Sequence, residues 1–331
     1  MNTLFLSHHP HEAHLNFAKQ INARIKIIPF NKYINLMKKY YFLNYFYPTV
    51  SLIYSFFTRI KSNVLVIDGG SSLYVAAFLK MRNRKLKIVY LDADLLFCNI
   101  IKSRKLPSFS LEFSLKMIDA VISISEKNKK YARQFLKIPI KVCSPYPKEV
   151  KKENIIRENY GLYIGRLDPD KNIKRVIDFG LQCPYFEKFI IIGGGVLEDY
   201  VKRISRKYKK IVYFGKRKNV AKYYSQCKFL IHIPDLDPHP CITMEAAMCG
   251  CYPIISKGVG TKYLFDKIFI IDNPNDSVEI NKKIKFILDN ENKTKKLLYT
   301  AIKKFPTKQE SLKDFKNKFE KIIKQIKNEG Q

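Results

Sequence analysis

The sequence predicts an α/β protein built from two doubly wound parallel sheets, and three observations carry that expectation. Short runs rich in Ile and Val recur along the whole chain, bounded by Gly, Pro, Asp or Ser. The runs are continuously apolar rather than alternating, which suits parallel strands covered on both faces. Helical patterns separate them, and there are too many strands for one such sheet.

In chain order, the first half supplies NTLFLS, RIKIIPF, NVLVIDGG, KIVYLDAD, AVISIS and IKVCSP. The second half supplies YGLYIG, FIIIGGG, KIVYFG, FLIHIP, YPIIS and IFIID. Helices are expected at NIKRVIDFG, LEDYVKRISRKY and TMEAAMCG. A polar stretch at 151–154 marks the boundary, giving domains 1–150 and 151–310. The segment 311–331 closes the chain as an amphipathic helix with Leu312, Phe315, Phe319, Ile322, Ile323 and Ile326 on one face. Ser311 is its expected cap, with Asp314 at the third helical position.

A length of 331 residues fits two domains, and 46% apolar residues can fill both cores. Seven cysteines without repeated CxxC spacing read as free thiols in a reducing compartment. The start, MNTLFLSHHPHEAH, lacks the basic and long apolar regions of a signal peptide, so the cytoplasm is expected. Basic residues number 61 against 29 acidic, a net charge of +32 shared evenly by both halves. Such a surface attracts polyanions: nucleic acid, anionic lipid or phosphorylated small molecules.

Residues 40–58, YYFLNYFYPTVSLIYSFFT, carry nine aromatics and no charge between basic flanks. Pro48, Asn44 and five tyrosines argue against a membrane-spanning helix. Two readings stay open: a pair of core helices around Pro48, or an element lying in the headgroup region of an anionic membrane.

Three motifs carry chemistry. In GLYIGRLDPDKN, Gly165 ends a strand and lets backbone approach a ligand, while Arg166 and Lys171 can converge on one anion across a turn. Lys171 is expected to be exposed in a cleft. In IIIGGGVLEDY, Gly193, Gly194 and Gly195 join a strand to a helix whose amides can hold phosphate or nucleoside. The pattern is not GxGxxG, which disfavours a nicotinamide cofactor. In DLDPHPCITMEAAMCGCYPIIS, Asp237 and Glu245 stand eight apart across a loop entering a helix. Either can meet sugar hydroxyls, or serve only as charges complementing the helix dipole.

In this order, the three motifs resemble the retaining nucleotide-sugar glycosyltransferases of family 4, which have the GT-B fold. The likeness is specific across residues 160–265 and architectural before them. It implies two Rossmann-like domains facing across a cleft, with the first taking the acceptor and the second the donor. It also implies a UDP- or GDP-sugar as substrate, no cofactor, no metal and a retaining transfer. Arg166 and Lys171 would grip the donor diphosphate, Glu245 the ribose and Asp237 the sugar. Asp237 replaces that family's usual glutamate. Gly215 and Lys216 match the loop that meets the base, and Pro238, His239 and Pro240 lie in the sugar-diphosphate loop.

The first domain departs from the family in two places. A glycine-rich loop usually follows the first strand; here the place holds His8, His9, His11 and His14, read as acceptor-binding, with phosphate binding or a plain solvated loop as the alternatives. Where relatives carry a histidine after the fourth strand, KIVYLDADLLF offers Asp92 and Asp94, Asp92 being the nearer match for a catalytic role. The expected acceptor is a glycan or lipid-linked precursor at the cytoplasmic membrane face. Two rivals remain: a polyanion-binding protein with a vestigial sugar site, and a GT-B epimerase or phosphorylase. No stacking aromatics interleave with basic residues in a recognised module, so nucleic acid is not the expected partner.

Overall fold

The computed structural model of the chain describes residues 2–8, 10–30, 46–103 and 107–328. It packs as two units, Met1–Pro145 with Thr307–Gln331, and Tyr146–Pro306.

Unit 1 holds a parallel sheet of β1 (Thr3–Ser7), β2 (Arg24–Ile27), β3 (Val64–Asp68), β4 (Lys87–Asp92), β5 (Ala120–Ser123) and β6 (Ile140–Val142). Their order is β2-β1-β3-β4-β5-β6. The connecting helices are α1 (Glu12–Gln20), α2 (Tyr47–Phe57), α3 (Leu73–Arg82), α4 (Leu96–Ser103), α5 (Phe109–Lys116) and α6 (Glu126–Ala132). The unbroken apolarity of the strands has a direct cause. Leu65 and Ile67 of β3 enter one core while Val64 and Val66 enter the other, so neither face meets water.

Helix α2 resolves the reading of residues 46–58; residues 40–45 lie outside the described residues. Pro48 sits in its first turn, where a missing N–H costs nothing. Residues 47–57 form a single helix, and its buried positions are Tyr47, Ser51 and Ser55. The small serines let it lie close to its neighbours, which turns the bulky residues outward. Leu52, Ile53, Phe56 and Phe57 are 46%, 55%, 69% and 81% exposed. Arg82 closes the helix end, donating to the carbonyls of Ser55 (2.6 Å) and Phe56 (2.9 Å).

Unit 2 holds a second parallel sheet: β7 (Glu158–Ile164), β8 (Phe189–Ile192), β9 (Ile211–Tyr213), β10 (Cys227–His232), β11 (Tyr252–Ser256) and β12 (Ile270–Ile271). The order is β12-β11-β10-β7-β8-β9. Its helices are α7 (Ile173–Gln182), α8 (Glu198–Lys207), α9 (Ala221–Gln226), α10 (Cys241–Met248), α11 (Ser277–Asp289) and α12 (Glu291–Ile302).

The division falls ahead of the polar 151–154 stretch. Residues just after Pro145 are already bound to unit 2: Cys241 Sγ donates to the Tyr146 carbonyl, and the Lys148 amide to Glu245. The closing helix α13 (Lys308–Asn328) belongs to unit 1. Its Phe315, Phe319, Ile322, Ile323 and Ile326 complete the core that holds Phe5 and Phe17. Its cap is Thr307, not Ser311. Thr307 and Glu310 form a reciprocal box, the Thr307 amide donating to Glu310 Oε2 (2.9 Å) and the Glu310 amide to Thr307 Oγ1 (3.2 Å). Ser311 is buried one turn further in, where its hydroxyl donates to the Ser144 carbonyl (2.7 Å).

Candidate active site

The three motifs meet at the carboxyl ends of β7, β8 and β10, inside unit 2. After β7 the chain turns at Gly165, and Tyr163 fixes the turn by donating its hydroxyl to the Arg166 carbonyl (2.7 Å). Arg166 is 53% exposed and pairs with Asp168 and, at 3.0 Å, with Asp170. A short turn, Pro169–Lys171, precedes α7. Asn172, joining the two, has φ +54°, a left-handed conformation that asparagine tolerates better than most residues.

Lys171 is not the exposed residue its sequence position suggests. Its side chain is 12% exposed, and Nζ lies 2.7 Å from Asp237 Oδ2. The same carboxylate oxygen lies 3.0 Å from His232 Nε2 at the end of β10. Burial alone would raise the Asp237 carboxyl. The His232 hydrogen bond and the Lys171 charge outweigh that and hold it well below the usual carboxylate range. His232 escaped the sequence reading because it ends an apolar strand and matches no motif.

The loop carrying Asp237, Pro238, His239 and Pro240 is gripped by a second segment that the sequence did not flag, residues 257–260. The Gly260 amide donates to the Asp237 carbonyl (2.7 Å), and a Cβ on Gly260 would stand 1.7 Å from the Pro238 carbonyl oxygen. Pro238, His239 and Pro240 are buried.

Close backbone approach also explains the glycine run. Gly193 has φ +147°, and a Cβ there would lie 1.8 Å from the Gly165 carbonyl oxygen. Asp168 bridges the two turns by accepting from the Val196 amide (3.1 Å). The run therefore has a packing reason beside any contact with phosphate. The exposed Lys216, next to Gly215, lays its side chain over Gly194.

Glu245 sits on α10, 6% exposed. Its Oε1 accepts from the Lys148 amide (3.3 Å) and Oε2 from the Tyr224 hydroxyl (3.1 Å). It borders a cavity of about 470 Å³ also lined by Lys148, Lys151, Lys218, Asn219 and Val220.

Unit 1 distributes its candidates differently. His8 is a packing residue: it is 3% exposed, and burial pushes its ring down to about 4, so it is neutral at pH 7. Its Nε2 lies 2.7 Å from the Tyr47 hydroxyl and 2.9 Å from the Ser71 carbonyl. His9 lies outside the described residues. His11 is exposed at the start of α1, and His14 pairs with Asp68 at 2.9 Å.

Asp92 closes the end of β4. It is 1% exposed, with one carboxyl oxygen on Ser123 Oγ (2.9 Å) and the other on Asn128 Nδ2 (3.2 Å), so it ties strand ends together. Asp94 does likewise for the turn after β3, accepting from the Gly70 amide (2.6 Å). Burial, and then the charge of Asp94, push the Asp92 carboxyl up to about 7. A raised carboxyl leaves folding unpenalised below its unfolded value near 3.9. Stability is then lost as pH rises toward 7. Asp92→Asn is therefore expected to gain on the wild type by about 1.4 kcal/mol per pH unit across that window, then level off. Thermal melts at pH 4, 6 and 8 measure this; a pH-independent difference removes the assignment. Among the described residues, no group of three His, Cys, Asp or Glu side chains is placed to hold a metal ion.

The two six-stranded parallel sheets with their helices have the fold of the GT-B glycosyltransferases. Residues 146–304 match the family model described as Glycosyl transferases group 1. The crystal structure of Anabaena HepE in complex with UDP superposes with a TM-score of 0.73 at 17% identity, over 98% of this chain and 100% of that one. Sucrose-phosphate synthase from Thermosynechococcus elongatus gives 0.64 at 15% identity, over 86% and 78%. In sequence, the chain is similar to the N-acetylgalactosamine-N,N'-diacetylbacillosaminyl-diphospho-undecaprenol 4-alpha-N-acetylgalactosaminyltransferase of Campylobacter jejuni. Identity is 22% over 193 residues, 54% of this chain and 53% of the relative, so the match spans about half that protein's length.

Proposed function

We propose that the protein is a glycosyltransferase that moves a sugar, with retention, from a nucleotide-diphosphate donor to a glycan or lipid-linked acceptor. One observation carries the reading: Arg166, Lys171 and Asp237 come together at the carboxyl ends of β7 and β10, with Glu245 on the helix that follows.

In the ligand-free state each cation is held by acids of its own unit, Lys171 by Asp237 and Arg166 by Asp168 and Asp170. A donor diphosphate offers both cations more charge than a single carboxylate, so it exchanges for those acids. Lys171 and Arg166 then face the oxygen on which negative charge grows as the sugar–phosphate bond breaks. The two fixed positive charges supply what a metal ion supplies elsewhere. Asp237, released by Lys171 but still bonded to His232, turns to a sugar hydroxyl. Glu245 receives the ribose diol, and the loop of Gly215 and Lys216 the base. The acceptor oxygen bonds to the anomeric carbon from the leaving-group side and passes its proton to the departing phosphate oxygen.

Thermal-shift titration tests the donor half. UDP, GDP and their sugars bind only the native state, so the right nucleotide should raise the melting temperature with concentration. A flat response to the whole panel would remove the reading.

The acceptor class rests on the aromatic face of α2 and on the basic surface. No helix among the described residues is long and apolar enough to cross a membrane. Phe56 and Phe57 instead project beside Arg59 and Lys61, an arrangement suited to headgroup-level binding on the cytoplasmic face. Phe56→Ser with Phe57→Ser is expected to reduce flotation with anionic vesicles by tenfold or more. Equal flotation of variant and wild type would remove the aromatic face of α2 as the docking element.

A further inference from the structure

Val64 of β3 and Ile323 and Ile326 of α13 are core residues, 2%, 5% and 3% exposed, yet their outer edges line a cavity of about 300 Å³. It opens at the amino-terminal edge of the unit 1 sheet, where Val64 and Lys87 begin β3 and β4 as register partners. Ser7, Asp68 and Asp92 end their strands at the other edge. An apolar floor under a few polar groups is the usual make-up of a small-ligand pocket, and the volume suffices for one.

The rim is cationic. Lys85, Lys87 and Lys327 come from the turn after α3, the first residue of β4 and the last turn of α13. Among the described residues, no acid lines the cavity. Lys87 reaches Asp119 at 3.7 Å, but Lys80 and the Ile88 amide hold the other oxygen of that carboxylate more closely, at 2.5 and 2.7 Å. No ion pair holds Lys85 or Lys327 among the described residues. Three like charges around one apolar hollow repel each other until an anion sits between them.

The adjoining chain tells which anion. Arg82 ties down the end of α2 by donating to the carbonyls of Ser55, Phe56 and Thr58, and Asn83, the next residue, already lines the cavity. The exposed rings of Phe56 and Phe57 therefore stand at the same edge of unit 1 as the cavity, with Arg59 and Lys61 in the segment that leads to Asn63 on its rim. A face that sets aromatic rings and cations at headgroup level brings the cavity to lipid phosphates.

We propose that the cavity binds one anionic phospholipid. Its phosphate sits among Lys85, Lys87 and Lys327, and the first carbons of an acyl chain cover Val64, Ile323 and Ile326. Lysine suits the role, being a point charge that takes phosphate without a planar partner. A lone phosphate would leave the floor bare, and a zwitterionic lipid would bring its own cation against the rim. The proposal rests on the headgroup-level docking of α2 and is independent of the donor.

The probe is dihexanoyl phosphatidylglycerol, kept monomeric, beside dihexanoyl phosphatidylcholine and inorganic phosphate. The first should raise the melting temperature of the full chain with concentration and move the methyl NMR signals of Ile323 and Ile326. At equal concentration the other two should do neither. Equal responses to both lipids, or a response to phosphate as large as to the anionic lipid, overturn the proposal. Lys85→Gln with Lys327→Gln removes two exposed charges and leaves the floor intact. The unliganded melting temperature should stay, while the dissociation constant for the anionic lipid rises about tenfold. Wild-type affinity in that variant overturns the proposal. Phe56→Ser with Phe57→Ser separates the site from the docking face: it should bind the monomeric lipid as the wild type does while losing flotation. Loss of the monomeric lipid there would put binding on the rings and overturn the cavity. Flotation of the wild type without any response to the monomeric lipid would remove the cavity and leave the docking face standing.

Discussion

Lys171→Ala is expected to lower sugar transfer by about 10³-fold, the scale seen when one group stabilising a developing charge is removed. The variant also carries a stability cost. Lys171 is 12% exposed and sits 2.7 Å from Asp237, so alanine leaves that carboxylate with His232 alone. Breaking such a pair at neutral pH should cost about 2 kcal/mol, less than for a fully buried pair because His232 remains. The pH dependence follows from the lowered Asp237 carboxyl. Its contribution is fully present above the unfolded value near 3.9 and is lost as pH falls through the folded value. Melting temperatures of wild type and variant should therefore differ at pH 7 and converge below about pH 4. Initial rates with the nucleotide sugar that gives the largest thermal shift supply the other half. Full transfer by the variant would end the assignment of Lys171 to the diphosphate.

Gly193→Ala should be among the most damaging single-methyl additions in unit 2. Its Cβ would meet the Gly165 carbonyl oxygen at 1.8 Å, and that oxygen is backbone and cannot swing aside. The clash falls where the turns after β7 and β8 interlock, the Gly165 amide donating to the Ile192 carbonyl (3.0 Å) and the Leu167 amide to the Gly194 carbonyl (3.1 Å). Overpacking at backbone of this kind should cost about 3 kcal/mol or more, together with the nucleotide-induced shift. Gly194→Ala is the control. A Cβ there meets the flexible end of Lys216 at 2.5 Å, which can move. Equal melting temperatures for the two variants would contradict the interlocked-turn account.

The twelve strands among the described residues were legible mostly because continuous apolar runs are what a doubly covered parallel sheet demands; edge strand β2, with Arg24, Ile25 and Ile27 exposed, is the exception. Arg166, Lys171 and Asp237 were legible as candidates because they lie near strand ends marked by glycine, proline and charge. His232 was not, since a histidine ending an apolar strand carries no sign that an aspartate five residues on will return to it. Asp68 was missed for a similar reason: only the pairing of β1 with β3 brings it to Ser7, 61 positions away. Exposure was the least legible property. Lys171 read as an exposed cleft residue, yet it is 12% exposed and held in an ion pair with Asp237. In α2, uncharged aromatics suggested core packing as readily as a surface. Only the serine seam at Ser51 and Ser55 decides which side faces in.

Because the last helix packs beside the first, residues 146–306 form an interruption within a discontinuous outer unit, whose severed ends meet where Ser144 touches Ser311. Order of synthesis then runs against order in the chain. The ribosome finishes the whole inner unit while Phe5 and Phe17 still await Phe315 and Phe319. A nascent chain that stops short of residue 308 would thus carry a complete inner unit attached to an amino-terminal part with an open apolar face, a species for chaperones or proteases to remove. The same layout makes the inner unit a cassette, replaceable between Pro145 and Thr307 without cutting any strand of its host.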